Sequence, residues 1–146
     1  MGSIVSYCRI SQNEILKDGR VVLGLPGIPL DDFLMKSYEQ LGINYPKYYK
    51  MVRLCKLGLL TSEVLLSGLS KSVVPESTAV VLSNSHSSLD TDLRYWESTR
   101  NAASPSLFVY TLPNIVAGEI CIHHGFKGEC NFFVSAAFNP EWLAGN

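Results

Sequence analysis

Thr78-Ala79-Val80-Val81-Leu82, followed by the polar run Ser83-Asn84-Ser85-His86-Ser87-Ser88, is the stretch on which the fold class turns. A short, apolar, β-branched run of this kind reads as a strand buried on both faces. Behind the polar loop, residues 89–101 read as a helix carrying Tyr95 and Trp96. Ser104-Pro105 opens another loop, and Pro113 fits the start of a helix ending near Gly125. Residues 130–135 are strand-like again, and 138–146 begin a last helix. Strands separated by helices in this order predict an α/β fold with a mainly parallel or mixed sheet.

Working upstream, residues 4–10 alternate loosely and read as a first strand. Gly19, Gly24, Pro26, Gly27 and Pro29 then punctuate an irregular excursion. Asp31 and Asp32 suit the start of a helix to about Leu41, with Gly42 as its stop. The strongest helical segment is 46–69, where Met51, Leu54, Cys55, Gly58, Leu59, Ser62, Leu65 and Leu66 follow the spacing of a buried face. Gly58 inside it costs about 1 kcal/mol relative to alanine, so close packing of another backbone is expected there. Strand candidates are few for an independent two-sided sheet, a pattern that suggests part of a larger fold.

The length of 146 residues is that of one domain, 1–146. The chain is 47% hydrophobic and 17% charged, apolar enough to suggest that a partner covers part of its surface. Its net charge of -1 is spread without a basic stripe, which argues against nucleic acid as a ligand. No apolar run approaches the roughly 20 residues that cross a bilayer, so no membrane partner is expected. The first residues lack the pattern of a signal peptide, so a cytoplasmic location is expected. Cys8, Cys55, Cys121 and Cys130 form no Cys-x-x-Cys pair and have apolar neighbours such as Leu54, Ile122 and Phe132. They read as buried free thiols.

Three clusters invite chemistry. Cys121 and His124 would share one face of a helix, with His123 beside them, but a structural zinc site wants four ligands in paired spacing. Histidines near a helix C-terminus are explained by its dipole, and no metal or cofactor is expected. His86 lies near Ser85, Asp90 and Asp92, yet no Gly-x-Ser-x-Gly turn accompanies them, so helix-capping serines account for the loop. Gly24-Leu-Pro-Gly27 and Gly125-Phe-Lys-Gly128 lack the spacing of a phosphate loop and read as turns.

The stretch Ser104-Pro105-Ser-Leu-Phe108-Val-Tyr-Thr-Leu-Pro113-Asn114-Ile-Val-Ala-Gly118, with Gly125-Phe-Lys-Gly128 after it, resembles the β-ketoacyl synthases. In that family a Ser-Pro or Asn-Pro start leads through an apolar run to Pro-Asn, then a helix ending in Gly-Leu-x-Gly-Pro. Met51-Val-Arg-Leu-Cys-Lys-Leu-Gly-Leu-Leu60 and its continuation to Leu66 look like the family's first long helix, and Ala79 to Ser83 like the strand that follows. The resemblance covers about residues 4–137 and implies the N-terminal part of a thiolase-like fold, a mixed sheet with helices on both faces.

The resemblance also implies a strand after Gly128 and a sharp turn presenting a nucleophilic cysteine at a helix N-terminus. There the thiol pKa falls and a backbone N–H stabilises an oxyanion. The family's spacing from Gly128 lands on Ala137, flanked by Ala136 and Phe138. Ser135 is the nearest hydroxyl, on the strand side of that turn. Cys130 would lie roughly 23 Å away along an extended strand. Glu129 stands where the family has proline, and its catalytic histidines and lysine belong to a C-terminal half, so His123 and His124 match helix positions only. The resemblance therefore implies a non-catalytic partner or regulatory subunit in fatty-acid or polyketide-type synthesis. Two alternatives are an acyltransferase component active only when assembled with a catalytic subunit, and a remnant module binding acyl chains or carrier protein. The implied partners are a second copy or a ketosynthase subunit, with acyl carrier protein besides. The implied interface comprises Phe108, Pro113, Asn114, Gly118, Asn131, Phe132, Phe133 and Val134.

Overall fold

The computed structural model describes residues 2–69 and 71–145. The fold is mixed α/β, and the chain divides into two compact units, Met1–Val74 and Pro75–Asn146.

The first unit opens with an antiparallel meander of β1 (Cys8–Ser11), β2 (Glu14–Lys17) and β3 (Arg20–Gly24). Two two-residue turns set its register, Ser11 facing Glu14 and Lys17 facing Arg20. Gln12, Asn13, Asp18 and Gly19 all have positive φ, between 50° and 79°, the sign that a type I′ hairpin demands at both central residues. The irregular excursion expected from Gly19 is thus corrected where Arg20–Gly24 forms a hairpin strand, while residues 25–29 are irregular as expected, and the first strand begins at Cys8 instead of at residue 4. Asp18-Gly19 is itself a strong hairpin signal, and it outweighs the glycines and prolines around it. The Asp18 carboxylate also accepts from the Tyr7 N–H and the Ser6 hydroxyl at 2.9 Å, which holds its pKa below the usual carboxylate value.

Helix α1 (Leu30–Gln40) matches its expected span. Gly42, at φ +65°, ends it in a Schellman motif: its N–H reaches Glu39 O at 3.1 Å and that of Ile43 reaches Tyr38 O at 3.3 Å. The long helix expected over 46–69 is instead a 3₁₀ helix, Pro46–Lys50, followed by α2 (Arg53–Leu66). Met51 and Val52, with ψ of 151° and 164°, separate the two. Aromatic packing accounts for the break. The tight turn lets consecutive tyrosines reach one neighbour, Tyr48 stacking on Tyr38 at 4.3 Å and Tyr49 meeting it edge-on at 5.3 Å. The Tyr48 hydroxyl, inside the core, donates to Leu34 O at 3.0 Å, and burial pushes its pKa up. Phe33, Leu34, Cys55, Leu59, Leu60 and Val64 fill the rest of this core, with Ile15 of β2 inside it. Arg53 clamps Asp31 through Nε at 2.8 Å and Nη2 at 2.9 Å, joining the first turns of α1 and α2.

The second unit is a β–α–β arrangement. After a 3₁₀ turn, Pro75–Ser77, come β4 (Val80–Asn84), α3 (Leu89–Ser98), α4 (Pro105–Val109), α5 (Ile115–His124), β5 (Cys130–Val134) and α6 (Pro140–Gly145). The expected helix to Asn146 thus reaches Gly145, and Asn146 lies outside the described residues. β4 and β5 pair in parallel, Val80 with Cys130 through to Asn84 with Val134. Every residue of β4 is half-buried, so the strand expected to be covered on both faces is not; a two-stranded sheet has too little surface around it to bury its members.

The loop expected at Ser104-Pro105 is a short helix. The Ser104 hydroxyl caps it by accepting from the Leu107 N–H at 3.3 Å, and Pro105 takes the first position. Gly125 at φ +72° stops α5, with the Phe126 N–H closing on Cys121 O at 2.9 Å. Gly128 then runs against the other strand's approach. A Cβ there would lie 2.5 Å from Thr78 O, closer than real side chains come.

Candidate functional site

The region with a functional reading is the end of β5 and what surrounds it in the second unit. Ala137 lies in a bend between β5 and α6 and is exposed. Its side chain is a methyl group, so no acyl transfer can start from it. The Ser135 hydroxyl donates to the backbone oxygen of Ala137 at 2.9 Å, which ties the only nearby hydroxyl of the strand end to the bend itself. On the far side, the Asn139 side chain accepts from the Trp142 N–H at 3.0 Å and fixes the entry to α6.

The expected interface residues divide by exposure. Phe108 on α4 and Val134 at the end of β5 stand out, 56% and 57% exposed. Asn114 is exposed at the start of α5, while Pro113, Gly118, Asn131, Phe132 and Phe133 are half-buried. Phe133 meets Trp142 of α6 edge-on at 4.7 Å, and Phe108 tilts against Tyr95 of α3 at 5.4 Å. Among the described residues, β5 pairs with β4 alone, so its other edge carries backbone groups that no strand answers.

Helix α3 adds a feature that sequence reasoning missed. Thr91 is buried, with Tyr95 and Ser98 half-buried on the same face. Leu89, Leu93 and Trp96, spaced four and three apart, are exposed. The helix therefore turns its polar face inward and its apolar face outward, the reverse of an ordinary surface helix. The signal was present in the spacing of Leu89, Leu93 and Trp96, but spacing alone assigns an apolar stripe to the core.

The other clusters do not assemble into active sites. His86 Nδ1 pairs with its neighbour's hydroxyl, Ser85 Oγ, at 2.7 Å, and Asp92 accepts from Ser88 Oγ at 3.1 Å. Ser88 also donates to Thr111 O, tying the start of α3 to the end of α4. His124 stacks on Phe126 at 5.3 Å and meets His123 edge-on at 4.7 Å, in the last turn of α5 where its dipole favours them. The thiols correct the expectation of four buried cysteines. Cys55 alone is buried; Cys8 and Cys121 are half-buried and Cys130 is exposed, because it opens β5 at the rim of a two-stranded sheet. In the first unit a small cleft of about 120 Å³ is lined by Val22, Leu41, Ile43, Glu63, Val64 and Ser67. It falls short of the roughly 300–1,000 Å³ of small-molecule sites.

No helix among the described residues is long and apolar enough to cross a membrane. Compared with protein-family models and with curated proteins, the sequence matches none.

Proposed function

We propose that the protein is a non-catalytic relative of the β-ketoacyl synthases, serving as a partner or regulatory subunit in fatty-acid or polyketide-type synthesis. The observation that carries this reading is Ala137. The order β5, bend, α6 is the one in which that family presents its cysteine, and here the bend holds alanine. The parallel pairing of β4 and β5 across helices is compatible with the N-terminal part of a thiolase-like fold, which supports the comparison.

The partner reading rests on what the second unit leaves uncovered. A parallel sheet is ordinarily covered on both faces and has more than two strands. Here, among the described residues, β5 has an edge that no strand pairs with, flanked by outward-facing Val134, while α3 and α4 turn Leu93, Trp96 and Phe108 to the outside. A second copy or a ketosynthase subunit would cover that surface, and an inactive subunit can then act by shaping its partner's acyl pocket.

Sedimentation of the full chain at micromolar concentration, alone and mixed with an intact ketosynthase subunit, tests this. A homodimer or heterodimer is expected; a monomer indifferent to the synthase overturns the reading. Incubation with malonyl and acyl carrier-protein thioesters is expected to give no condensation by the chain alone. Product formation there would show that the nucleophile argument is wrong.

A further inference from the structure

We propose that the outward face of α3 docks an amphipathic helix of a different protein, apolar along one side and flanked there by lysine or arginine. That a partner covers the second unit is the premise taken from the reading above; the partner's helix and its charges are new. Leu89, Leu93 and Trp96 recur at intervals of four and three, the spacing of successive d, a and d positions of a heptad. All three are exposed, Trp96 most of all at 68%. The positions that flank such a seam are e and g. Asp90 and Glu97 take the two e positions and Asp92 the first g, all exposed, while Thr99 at the second g is uncharged. Thr91, Tyr95 and Ser98, the residues of α3 that are buried or half-buried, fall at f, c and f, away from the seam. Arg94 is at b, outside the acidic rim, and Arg100, the next a position, lies beyond the end of the helix. The face is therefore a short apolar seam with acid on both sides.

A seam of this shape is filled best by another helix, whose side-chain rows have the same spacing and interlock with it. The rim then chooses among helices, because e and g residues oppose those of the partner and like charges there repel. Against α3 of a second copy, acid would meet acid in either orientation. The other described helices of this chain do not fit either, since none sets two exposed large apolar side chains beside a lysine or arginine. Of their large apolar side chains α1 exposes Leu30 alone, the 3₁₀ helix at Pro46–Lys50 exposes Tyr49 alone and α2 exposes none, while α4, α5 and α6 hold no lysine or arginine. An anionic lipid surface would be repelled by the same rim. A helix of another chain, apolar at a and d and basic at e and g, satisfies both the seam and the rim, and Trp96 is the aromatic anchor it would bury.

The test uses the full chain and a fluorescein-labelled synthetic peptide of about two heptads, with leucine at a and d and lysine at e and g. Two control peptides carry glutamate at e and g, or the same leucines and lysines in scrambled order. Fluorescence anisotropy is expected to show saturable binding of one lysine peptide per chain, about tenfold tighter than either control and weaker in high salt. Trp96→Ser is expected to weaken it about tenfold while circular dichroism stays unchanged. Glu97→Lys keeps the seam and is expected to weaken the lysine peptide about threefold and to strengthen the glutamate peptide. Equal binding of the scrambled peptide would reduce the effect to general charge attraction and overturn the proposal, as would full affinity in Trp96→Ser. Self-association that Trp96→Ser abolishes, with no peptide bound, would give the face to a second copy and also overturn it. A chain that binds the lysine peptide and ignores an intact ketosynthase sinks the subunit reading alone. One that pairs with the ketosynthase, and neither binds the peptide nor responds to Trp96→Ser, sinks the helix-docking reading alone.

Discussion

In the first unit Phe33, Leu34, Tyr38, Tyr48, Leu59 and Leu60 are packed away from water around a meander whose neighbours in sequence are neighbours in space. In the second, the described apolar side chains that are buried are Val116, Ala117 and Ile120, all on α5, while Leu93, Trp96, Phe108, Val134 and Phe138 face out. Composition does not separate the two, since both are rich in large apolar residues. What separates them is where those residues point. The first unit builds a core from β2, α1, the 3₁₀ helix at Pro46–Lys50 and α2 while leaving Ile4, Val5, Val21 and Val22 outside it. The described buried apolar side chains of the second all lie on α5, whereas Leu93, Trp96, Phe108 and Val134 stand exposed on α3, α4 and the end of β5.

The sharpest way to break this comparison is Tyr48→Ala. It removes a buried ring, its stack on Tyr38 and its hydrogen bond to Leu34, so a loss of about 3–5 kcal/mol is expected. Urea denaturation followed by tyrosine fluorescence measures it, and a loss below about 1 kcal/mol would mean that the first core is not tightly packed. Gly128→Ala should come next. The added Cβ collides with the Thr78 carbonyl, which must shift, at a cost of about 1–3 kcal/mol. Faster amide exchange in β4 and β5 than in β1–β3 is the expected signature. Trp96→Ser should change the stability of the isolated chain by less than about 0.5 kcal/mol, since the ring is exposed. If the outward surface serves association, the same change weakens assembly in sedimentation runs, and a large loss of stability in the isolated chain would instead make Trp96 a core residue.

Asp18→Asn is expected to have the smallest effect, confined to the meander. The folded pKa of Asp18 is depressed, so its contribution is present above the unfolded value and is lost as pH falls through the folded one. Protection of the Tyr7 amide, measured against its intrinsic exchange rate at each pH, should fall on acidification in the unsubstituted chain, and the asparagine variant should show a flatter pH profile. An identical profile in both would remove Asp18 from the account of that turn.

The sequence made the helices easier to read than the sheets, for physical reasons visible at single residues. Asp31, Asp32 and Gly42 bound α1, and Gly125 ends α5, because caps and left-handed stops act through local backbone geometry. The hairpin turns escaped because Gln12-Asn13 is a less familiar turn pair, and Asp18-Gly19 stands at the head of a run of glycines and prolines that suggested irregular chain. The break at Met51 and Val52 escaped because their spacing from Tyr48 and Cys55 also fits one face of a continuous helix. Of the candidate region, the strand at Cys130–Val134 was legible from its apolar run, while the weight put on Ala137 comes from the family resemblance. The outward face of α3 was not legible, since it depends on how the helix turns in the folded chain.

The parallel pairing of β4 with β5 also bears on how the protein comes to be folded. Val80 finds its partner in Cys130, fifty residues on, while Lys17 finds Arg20 across a two-residue turn. Closing the longer loop costs more chain entropy before any contact rewards it, so the meander can form in isolation on a timescale of about 1–10 μs and the parallel pair must follow. During synthesis β4 leaves the ribosome well before β5 exists, at about 5–20 residues per second, and waits several seconds as an apolar strand with both edges bare. The interval between β4 and β5 is thus the part of this chain's life in which a chaperone, or an early-binding partner, has the most to protect.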